Sequence, residues 1–458
     1  MIRPNLLYRN NTFVENETLT IANGLITAAP SAAPPTELPT KALIPGFVNV
    51  HSHAFQRLIR GKAESRATSG KDFWSWRGTM YHAAANLTPE DVYDVSRMAF
   101  LEMLLSGTTT VGEFHYLHTA PNGQPYDDPN ELAHQIIAAA QSVGIRIVLL
   151  NSAYLRAGFE LPPDPGQRRF YETTDSFLKN TESLLAAYPG SNEVTIGIAP
   201  HSVRAVPLPA LKEVLHWARA QALPIHMHLA EQLAENTASL REHTLTPIAL
   251  LAKHSLLAPD LTAVHAIHIT PAEIAALSAS GSTICSCPTT ERNLGDGILP
   301  ADRILEANIP IALGSDSQAQ IDPLEDARQL DYHLRLQHQQ RAILDQINST
   351  SIATTLFNTA TRNGARALQL PTGSLTPGEY ADYITVDTND PSIAGHTPDS
   401  LLPLLTFGLN RTAIRDVAVN GKIIVTDGHH PLAEEIIARY TQLHRRIWSD
   451  APPSPSNR

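Results

Sequence analysis

Between Leu43 and Arg362 the sequence alternates repeatedly between short apolar runs and longer stretches with helical spacing. Strands of a parallel sheet are buried on both faces and therefore appear as continuous apolar runs, with helices forming the crossover connections. The eight predicted strands are 43–53, 108–114, 145–151, 194–199, 223–228, 261–265, 282–286 and 309–314. Eight strand–helix units in succession predict an α/β fold of the (β/α)8 TIM barrel class.

One helix boundary is marked in detail. Thr88-Pro89-Glu90-Asp91 combines a good N-cap residue, a proline at the first helical position and an acidic first turn. Apolar residues at helical spacing follow as far as Gly107, a typical helix stop. A helix is therefore predicted between the first two barrel strands.

The two ends of the chain have a different pattern. Residues 1–43 and 372–430 contain short strand-like runs with tight turns at Asn23-Gly24 and Asn420-Gly421. Either group alone is too small to be stable, so we expect them to form one small β-sandwich-like domain beside a barrel of residues 44–371. Residues 431–450 predict a final amphipathic helix, and the Pro- and Ser-rich residues 451–458 predict a disordered tail.

The composition excludes several classes of partner. The 458 residues carry a formal net charge of −11, which argues against nucleic acid and against anionic membrane surfaces. No apolar run approaches the ~18 residues of a transmembrane helix, and the N-terminus lacks signal-peptide features, so a cytoplasmic location is expected. Cys285 and Cys287 are interpreted as reduced core residues. An anionic substrate would need locally placed arginines.

Ionisable side chains follow most of the predicted strands. In a barrel of this class, residues at the carboxyl ends of the strands form the active site. Those found here are His51, His53, Glu113, His115, His201, His228, His265 and Asp316. Each alone is commonplace, but their succession predicts a functional centre.

Four of these residues can form a metal site. His51 and His53 are two positions apart on a strand and so point to the same side. With His228 and Asp316 they offer three imidazoles and a carboxylate, a set that suits Zn²⁺ and also Fe²⁺ or Mn²⁺. No lysine ends the fourth strand to bridge a second ion, so one metal per chain is expected. Spacing alone does not separate His226 from His228, or His265 from His268.

Several motifs together resemble the amidohydrolase superfamily over residues 40–430. The general motifs are Pro45-Gly46-Phe47, His51-Ser52-His53, His228-Leu229-Ala230-Glu231, His265 and Gly314-Ser315-Asp316-Ser317. The loop motifs are similar to those of its formimidoylglutamate deiminase family: His51 to Arg57, Phe73 to Arg77, Gly112 to His118, Pro200 to Arg204 and Thr289 to Gly297.

The resemblance implies a role for each matching residue. One Zn²⁺ would be held by His51, His53, His228 and Asp316, with His228 chosen over His226 because Glu231 follows it at the family's spacing. Glu231 would act as general base, His265 would polarise the reacting group, and Asp316 would also shuttle a proton. The implied substrate contacts are Gln56, Arg77, Tyr116, His201 and Arg204. A homodimer is likewise expected from the family.

The implied reaction converts N-formimidoyl-L-glutamate and water to N-formyl-L-glutamate and ammonia in histidine degradation. A substrate with two carboxylates requires guanidinium partners in a net acidic protein, and Arg77 and Arg204, expected on loops after strands one and four, suit that role.

Two alternatives remain open. A deaminase of a nucleobase or adenosine derivative would share the metal site but would need flat apolar walls instead of two arginines. A catalytically inactive binding relative would be expected to have lost ligands. The stretch from Arg156 to Tyr171 matches no family motif.

Overall fold

The computed structural model describes residues 1–29, 33–64 and 73–449. The predicted tail at 451–458 lies outside these residues. The strands at the start of the chain are β1 (Ile2–Arg9), β2 (Thr12–Glu15), β3 (Thr20–Ala22), β4 (Leu25–Thr27) and β5 (Thr36–Pro45). The next eight are β6 (Phe47–Ser52), β7 (Thr108–His115), β8 (Arg146–Ala153), β9 (Val194–Pro200), β10 (Ile225–Leu229), β11 (Leu261–His265), β12 (Thr283–Ser286) and β13 (Ile311–Leu313). The last are β14 (Tyr383–Asp387), β15 (Ile414–Val419) and β16 (Lys422–Val425).

Helices connect the barrel strands and continue beyond them. The first seven are α1 (Phe73–Ala85), α2 (Pro89–Leu105), α3 (Glu131–Val143), α4 (Thr174–Ala187), α5 (Leu208–Ala220), α6 (Leu233–His243) and α7 (Pro247–Lys253). The others are α8 (Pro271–Ser280), α9 (Pro288–Leu294), α10 (Ala301–Glu306), α11 (Pro323–His338), α12 (Ile352–Thr359), α13 (Arg362–Ala367), α14 (Pro398–Gly408) and α15 (Ala433–Ser449). Within the described ranges, no helix is long and apolar enough to span a membrane.

The predicted barrel is confirmed. Strands β6 to β13 form one sheet in sequence order, and all neighbouring pairs are parallel. The two edges meet at the carboxyl end of β6, where the Asp316 amide donates to the His51 carbonyl at 3.0 Å and the His53 amide donates to the Asp316 carbonyl at 3.0 Å. Of the expected metal ligands, His51 therefore lies on the first strand, His53 follows its last residue, and Asp316 lies directly across the closure.

The predicted start of the first strand was wrong. Residues 43–45 belong to β5, which lies in a different sheet, and the barrel strand begins only at Phe47. Gly46 alone separates the two strands, and a side chain there would overlap that of Thr109. The apolar pattern runs through this break because both strands are buried there.

The helix predicted after Thr88 is present as α2. The Asp91 amide donates to the Thr88 hydroxyl at 3.2 Å, and the Thr88 amide donates to the Asp91 carboxylate at 2.8 Å. This reciprocal capping box satisfies amides that the first helical turn leaves without partners.

Both ends of the chain contribute to a second sheet, as expected. Its six strands run in the order β16-β15-β14-β5-β1-β2, and β3 pairs with β4 in a separate hairpin. A buried ion pair connects this sheet to the barrel: Arg146 at the start of β8 donates to Asp382, just before β14, at 2.9 and 3.0 Å. The Asp382 carboxylate also accepts from the Thr372 hydroxyl and the Asn420 backbone amide, so both of its oxygens have hydrogen-bond donors.

We expect Asp382→Ala to lower the free energy of unfolding by about 3–5 kcal/mol, because it leaves the buried Arg146 guanidinium without its carboxylate. Urea denaturation followed by fluorescence measures the loss. The control is Glu37→Ala, which breaks the exposed pair with Arg3 and should cost no more than about 1 kcal/mol. Equal losses in the two variants would contradict this role of the ion pair.

Candidate active site

The four residues predicted to hold a metal meet at the carboxyl end of the barrel. One ligand atom from each of His51, His53, His228 and Asp316 lies within 4.8 Å of the others, and all four side chains are buried. The Asp316 carboxylate is 3.5 Å from His51 Nε2 and 3.3 Å from His53 Nε2. Three imidazoles and a carboxylate thus converge on one point.

The chemistry of this group fits a divalent cation. Burial lowers the pKa of His51, His53 and His228, so each imidazole is held neutral, which is the form that binds metals. The Nδ1 atoms of His53 and His228 face the carbonyls of Phe114 and His201 at 2.9 and 3.1 Å, which leaves their Nε2 atoms to face a metal ion. Neither ring nitrogen of His51 has a hydrogen-bond partner among the described residues. Such buried nitrogens are costly unless a ligand satisfies them.

The structure also separates the paired histidines that spacing left open. His226 lies deeper in the barrel, where its Nε2 faces the Ala367 carbonyl at 3.1 Å, and burial lowers its pKa to about 4. His268 faces the Asp296 carbonyl at 2.8 Å through its Nε2. His228 and His265, in contrast, line a pocket at the carboxyl end of the barrel.

Glu231, His265 and Asp316 enclose the space beside the ligand atoms. His265 Nε2 lies 3.9 Å from the Glu231 carboxylate and 3.8 Å from that of Asp316. Burial raises the pKa of Glu231. Burial acts against protonation of His265, but Glu231 and the hydrogen-bonded Glu291 outweigh it and raise its pKa well above the usual value. A carboxylate and an imidazole nitrogen therefore face each other across the pocket.

All five predicted substrate contacts line the same pocket. They are Gln56, Arg77, Tyr116, His201 and Arg204. Gln56 Nε2 donates to the Tyr116 hydroxyl at 2.8 Å. Arg204 lies in the turn between β9 and α5, as expected. The remaining lining residues are His53, Trp76, Met80, Tyr81, Tyr154, Phe170, His228, Glu231, His265, Leu294 and Asp316.

The expected loop position of Arg77 was wrong, because this residue lies in helix α1. Trp76, Met80, Ala83 and Ala84 are buried at helical spacing, and this packing stabilises the helix. Their pattern is short, and it follows a Gly-, Ser- and Arg-rich stretch, which favoured a loop in the sequence.

Sequence reasoning missed several aromatic residues of the pocket. Tyr154 follows β8 and belongs to the strand-end pattern, but the predicted strand was ended too early, at residue 151. Tyr81 is one helical turn after Arg77, a signal that becomes visible only once α1 is recognised. Phe170 lies in the stretch that matched no motif, and its ring contacts Tyr116 with centroids 5.0 Å apart.

A buried carboxyl group supports the first two ligands from behind. Glu113, at the end of β7, accepts from the Ser52 hydroxyl at 2.5 Å and from the Ala54 amide at 2.7 Å. These two contacts lie on either side of His53 in the chain. Burial raises the pKa of Glu113 to about 8. Glu113 therefore fixes the backbone segment that presents His53.

An eight-stranded parallel barrel with a buried His₃Asp group at its carboxyl end defines a metal-dependent hydrolase. The profile of the amidohydrolase family matches residues 42–424, and the chain belongs to this family.

Three relatives illustrate the similarity. The chain is 37% identical over 403 residues to a formimidoylglutamate deiminase of Pseudomonas aeruginosa, covering 88% of each chain. It is 29% identical over 395 residues to an 8-oxoguanine deaminase of the same species, covering 84% of this chain and 82% of the relative. The crystal structure of an amidohydrolase from Brucella melitensis superposes with a TM-score of 0.91 at 32% identity, covering 97% of this chain and 99% of that one.

We expect Glu113→Gln to weaken metal binding by about 10- to 100-fold, because the amide no longer accepts from Ser52 and the His53 segment loses its anchor. Competition with a chromophoric chelator measures the affinity. Glu273→Gln is the matched control, because Glu273 is also buried but caps helix α8, where it accepts from the Thr270 amide at 2.8 Å. Equal metal affinities in the two variants would contradict the anchoring role.

Proposed function

We propose that this chain hydrolyses N-formimidoyl-L-glutamate to N-formyl-L-glutamate and ammonia, a step of histidine degradation. The observation that carries the proposal is the presence of two arginines, Arg77 and Arg204, in the same pocket as the metal-binding group. The 37% identity to a formimidoylglutamate deiminase over most of both chains supports the same substrate.

The charges of the pocket complement those of the proposed substrate. Formimidoylglutamate carries two carboxylates, and a planar guanidinium binds a carboxylate through two parallel hydrogen bonds. Arg77 comes from α1, and Arg204 comes from the turn after β9, so they approach the pocket from different elements. Two separate clamps hold the substrate at both carboxylates and leave the formimidoyl group directed at the barrel end.

The proposed cofactor is one Zn²⁺ per chain, held by His51, His53, His228 and Asp316; Fe²⁺ and Mn²⁺ suit the same ligands. When bound, such an ion supplies Lewis-acid chemistry that lowers the pKa of water toward about 7.

Glu231 is the proposed general base. It follows His228 by three residues at the end of β10, and its carboxylate lies on the pocket side of the ligands. Burial raises its pKa, which suits a group that both accepts and returns a proton. Glu231 takes one proton from the attacking water as the C–O bond forms and delivers it to the imino nitrogen. As the C–N bond then breaks, the proton of the added hydroxyl group passes to the same nitrogen, so that ammonia leaves and the formyl carbonyl forms.

His265 and Asp316 have complementary roles. Glu291 accepts from His265 Nδ1 at 3.3 Å, which turns Nε2 toward the reacting carbon. A cationic His265 donates from Nε2 to the group that develops negative charge in the tetrahedral intermediate. Asp316 lies 3.8 Å from this Nε2, and its second oxygen can pass a proton between water and substrate.

Gln56, Tyr116 and His201 complete the substrate site. The Tyr116 hydroxyl accepts a hydrogen bond from the Gln56 side-chain amide. The Tyr116 ring contacts the His53 ring, with centroids 4.9 Å apart. The His201 ring lies tilted against that of His228, with ring centroids 4.7 Å apart. All three side chains line the pocket that also contains Arg77 and Arg204.

The cell biology implied by this function is also a proposal. We infer a cytoplasmic enzyme, consistent with the two buried thiols Cys285 and Cys287, whose sulfur atoms are 4.0 Å apart and unlinked. The homodimer expected from the family can be measured by light scattering.

The rival function is deamination of a nucleobase or an adenosine derivative. Aromatic side chains do line the pocket, and an 8-oxoguanine deaminase is among the relatives. A neutral base, however, offers no anion to two guanidinium groups, whereas the dicarboxylate pairs with both. The arginines therefore favour formimidoylglutamate.

Parallel assays of ammonia release test the proposal. We expect turnover of N-formimidoyl-L-glutamate by the zinc-loaded enzyme and none of guanine, cytosine or adenosine. Removal of the metal by a chelator should abolish turnover, and added Zn²⁺ should restore it. Turnover of a base without turnover of formimidoylglutamate would overturn the proposal, and a chain that binds no metal would indicate an inactive relative.

We expect Arg204→Ala to raise KM for formimidoylglutamate by about 10- to 100-fold, since a charged hydrogen-bonded pair with a substrate carboxylate is lost. Steady-state kinetics with equal metal loading measure the change. Arg219→Ala serves as the control because Arg219 pairs with Asp260 away from the pocket. A KM within about twofold of wild type would argue against the clamp.

A further inference from the structure

The stretch from Arg156 to Tyr171, which matches no family motif, contributes Phe170 to one side of the pocket, next to Tyr154. Its middle is a single 3₁₀ turn, Pro165–Gln167, in which the Asp164 carboxylate accepts from the Gly166 amide at 2.8 Å. A Cβ atom at Gly166 would lie 2.9 Å from Cδ2 of Tyr81, so the turn lies directly against that ring. The stretch is therefore fitted to helix α1.

Gln167 connects this turn to three tyrosines. Its side chain is only 2% exposed, and its Nε2 donates to the Tyr81 hydroxyl at 2.8 Å. Its Oε1 accepts from the hydroxyls of Tyr154 and Tyr171 at 3.0 and 3.1 Å. Because its oxygen accepts hydrogen bonds from two hydroxyl groups, the Gln167 amide has a fixed orientation, with its NH₂ group directed at Tyr81.

The donors around Tyr81 determine where its own proton points. The Arg77 guanidinium can only donate, and it donates to the Tyr81 hydroxyl oxygen. Gln167 donates to the same oxygen, so both acceptor positions of that oxygen are occupied. The hydroxyl proton is therefore directed away from both donors, and Tyr81 itself lines the pocket. Burial raises the pKa of Tyr81 to about 12, which keeps this proton in place.

We propose that Tyr81, oriented by Gln167, forms a joint donor site with Arg77 for one substrate carboxylate. Tyr81 donates its hydroxyl proton to the anion that Arg77 binds, and Gln167 is the positioning residue that holds the tyrosine in this orientation. The inference rests on the proposed function and adds a specificity determinant to it.

The central test is a double-mutant cycle on the zinc-loaded enzyme. Tyr81→Phe keeps the ring against Phe170 and removes only the hydroxyl. We expect it to raise KM about tenfold with kcat within about twofold, because one hydrogen bond to a charged group is lost. In an Arg77→Ala background the same change should alter KM by less than about twofold.

Substrate analogues locate the carboxylate. N-formimidoyl-L-2-aminobutyrate lacks the side-chain carboxylate, and N-formimidoyl-4-aminobutyrate lacks the α-carboxylate. Tyr81→Phe should leave KM unchanged for whichever analogue lacks the anion that Arg77 binds, and should raise it for the other. Gln167→Met, which leaves the tyrosine hydroxyl in place but unsupported, should raise KM by a smaller factor and without loss of kcat.

Tyr188→Phe is the matched control. It also removes a tyrosine hydroxyl that is hydrogen-bonded, here to His134 Nδ1 at 2.7 Å, but at α3 and α4 on the outside of the barrel. Its kinetic constants should equal those of the wild type.

Several outcomes would overturn the inference. These are an unchanged KM in Tyr81→Phe, an equal effect with and without Arg77, or an equal effect on both analogues. Should Tyr81→Phe lose zinc or unfold early in a thermal melt, Gln167→Met decides by the same criteria. Absence of formimidoylglutamate turnover by the wild type overturns the proposed function as well, whereas the failures above leave it intact.

Discussion

Two backbone hydrogen bonds across the closure of the barrel are made by the predicted metal ligands themselves. Asp316 exchanges these bonds with His51 and His53, and together with the side-chain hydrogen bonds between Asn49 and Ser315 they join β6 to the chain just beyond β13. The spacing between the carboxylate and the two imidazoles is therefore set by the register of the sheet. Because the strands of a barrel cannot slide without breaking its closure, the ligands are held in place before any ion binds.

Three residues just beyond or at the strand ends adopt backbone conformations that are unfavourable for residues other than glycine. Asp316, His265 and Ala230 all have positive φ, of 47°, 71° and 55°. Such conformations cost of order 1–3 kcal/mol for residues other than glycine and persist where the surrounding structure enforces them. Here they occur where β10, β11 and β13 leave the barrel. They turn the carboxylate and imidazole of Asp316 and His265 toward the pocket while the chain moves outward.

These features explain which parts of the molecule the sequence predicts. The carboxyl ends of parallel strands meet in one place, so His51, His228 and Asp316 could be grouped without knowing any contact. The spacing could not decide whether His226 or His228 is the ligand, because both side chains point into the barrel. They differ only in how far along the strand they lie, and the sequence does not show where the strand reaches the pocket. The break at Pro45-Gly46 was invisible because the residues on both sides are buried. Helix α1 was missed because its apolar face spans few turns.

The floor and the walls of the pocket come from different kinds of element. The ligands, Glu231 and His265 are at strand ends whose positions the barrel fixes, whereas Arg77, Tyr81 and Phe170 come from the connections between strands. The stretch 154–171 links these connections to one another. Through Arg156 it donates to the Arg204 carbonyl at 2.8 Å, and through Gln167 it contacts Tyr81. The stretch 154–171 thus contacts both the helix that carries Arg77 and the turn that carries Arg204. A change in this stretch can therefore alter the distance between the two guanidinium groups while the strand ends stay in place. Since connections tolerate sequence change better than barrel strands do, substrate choice can change while the catalytic floor stays the same.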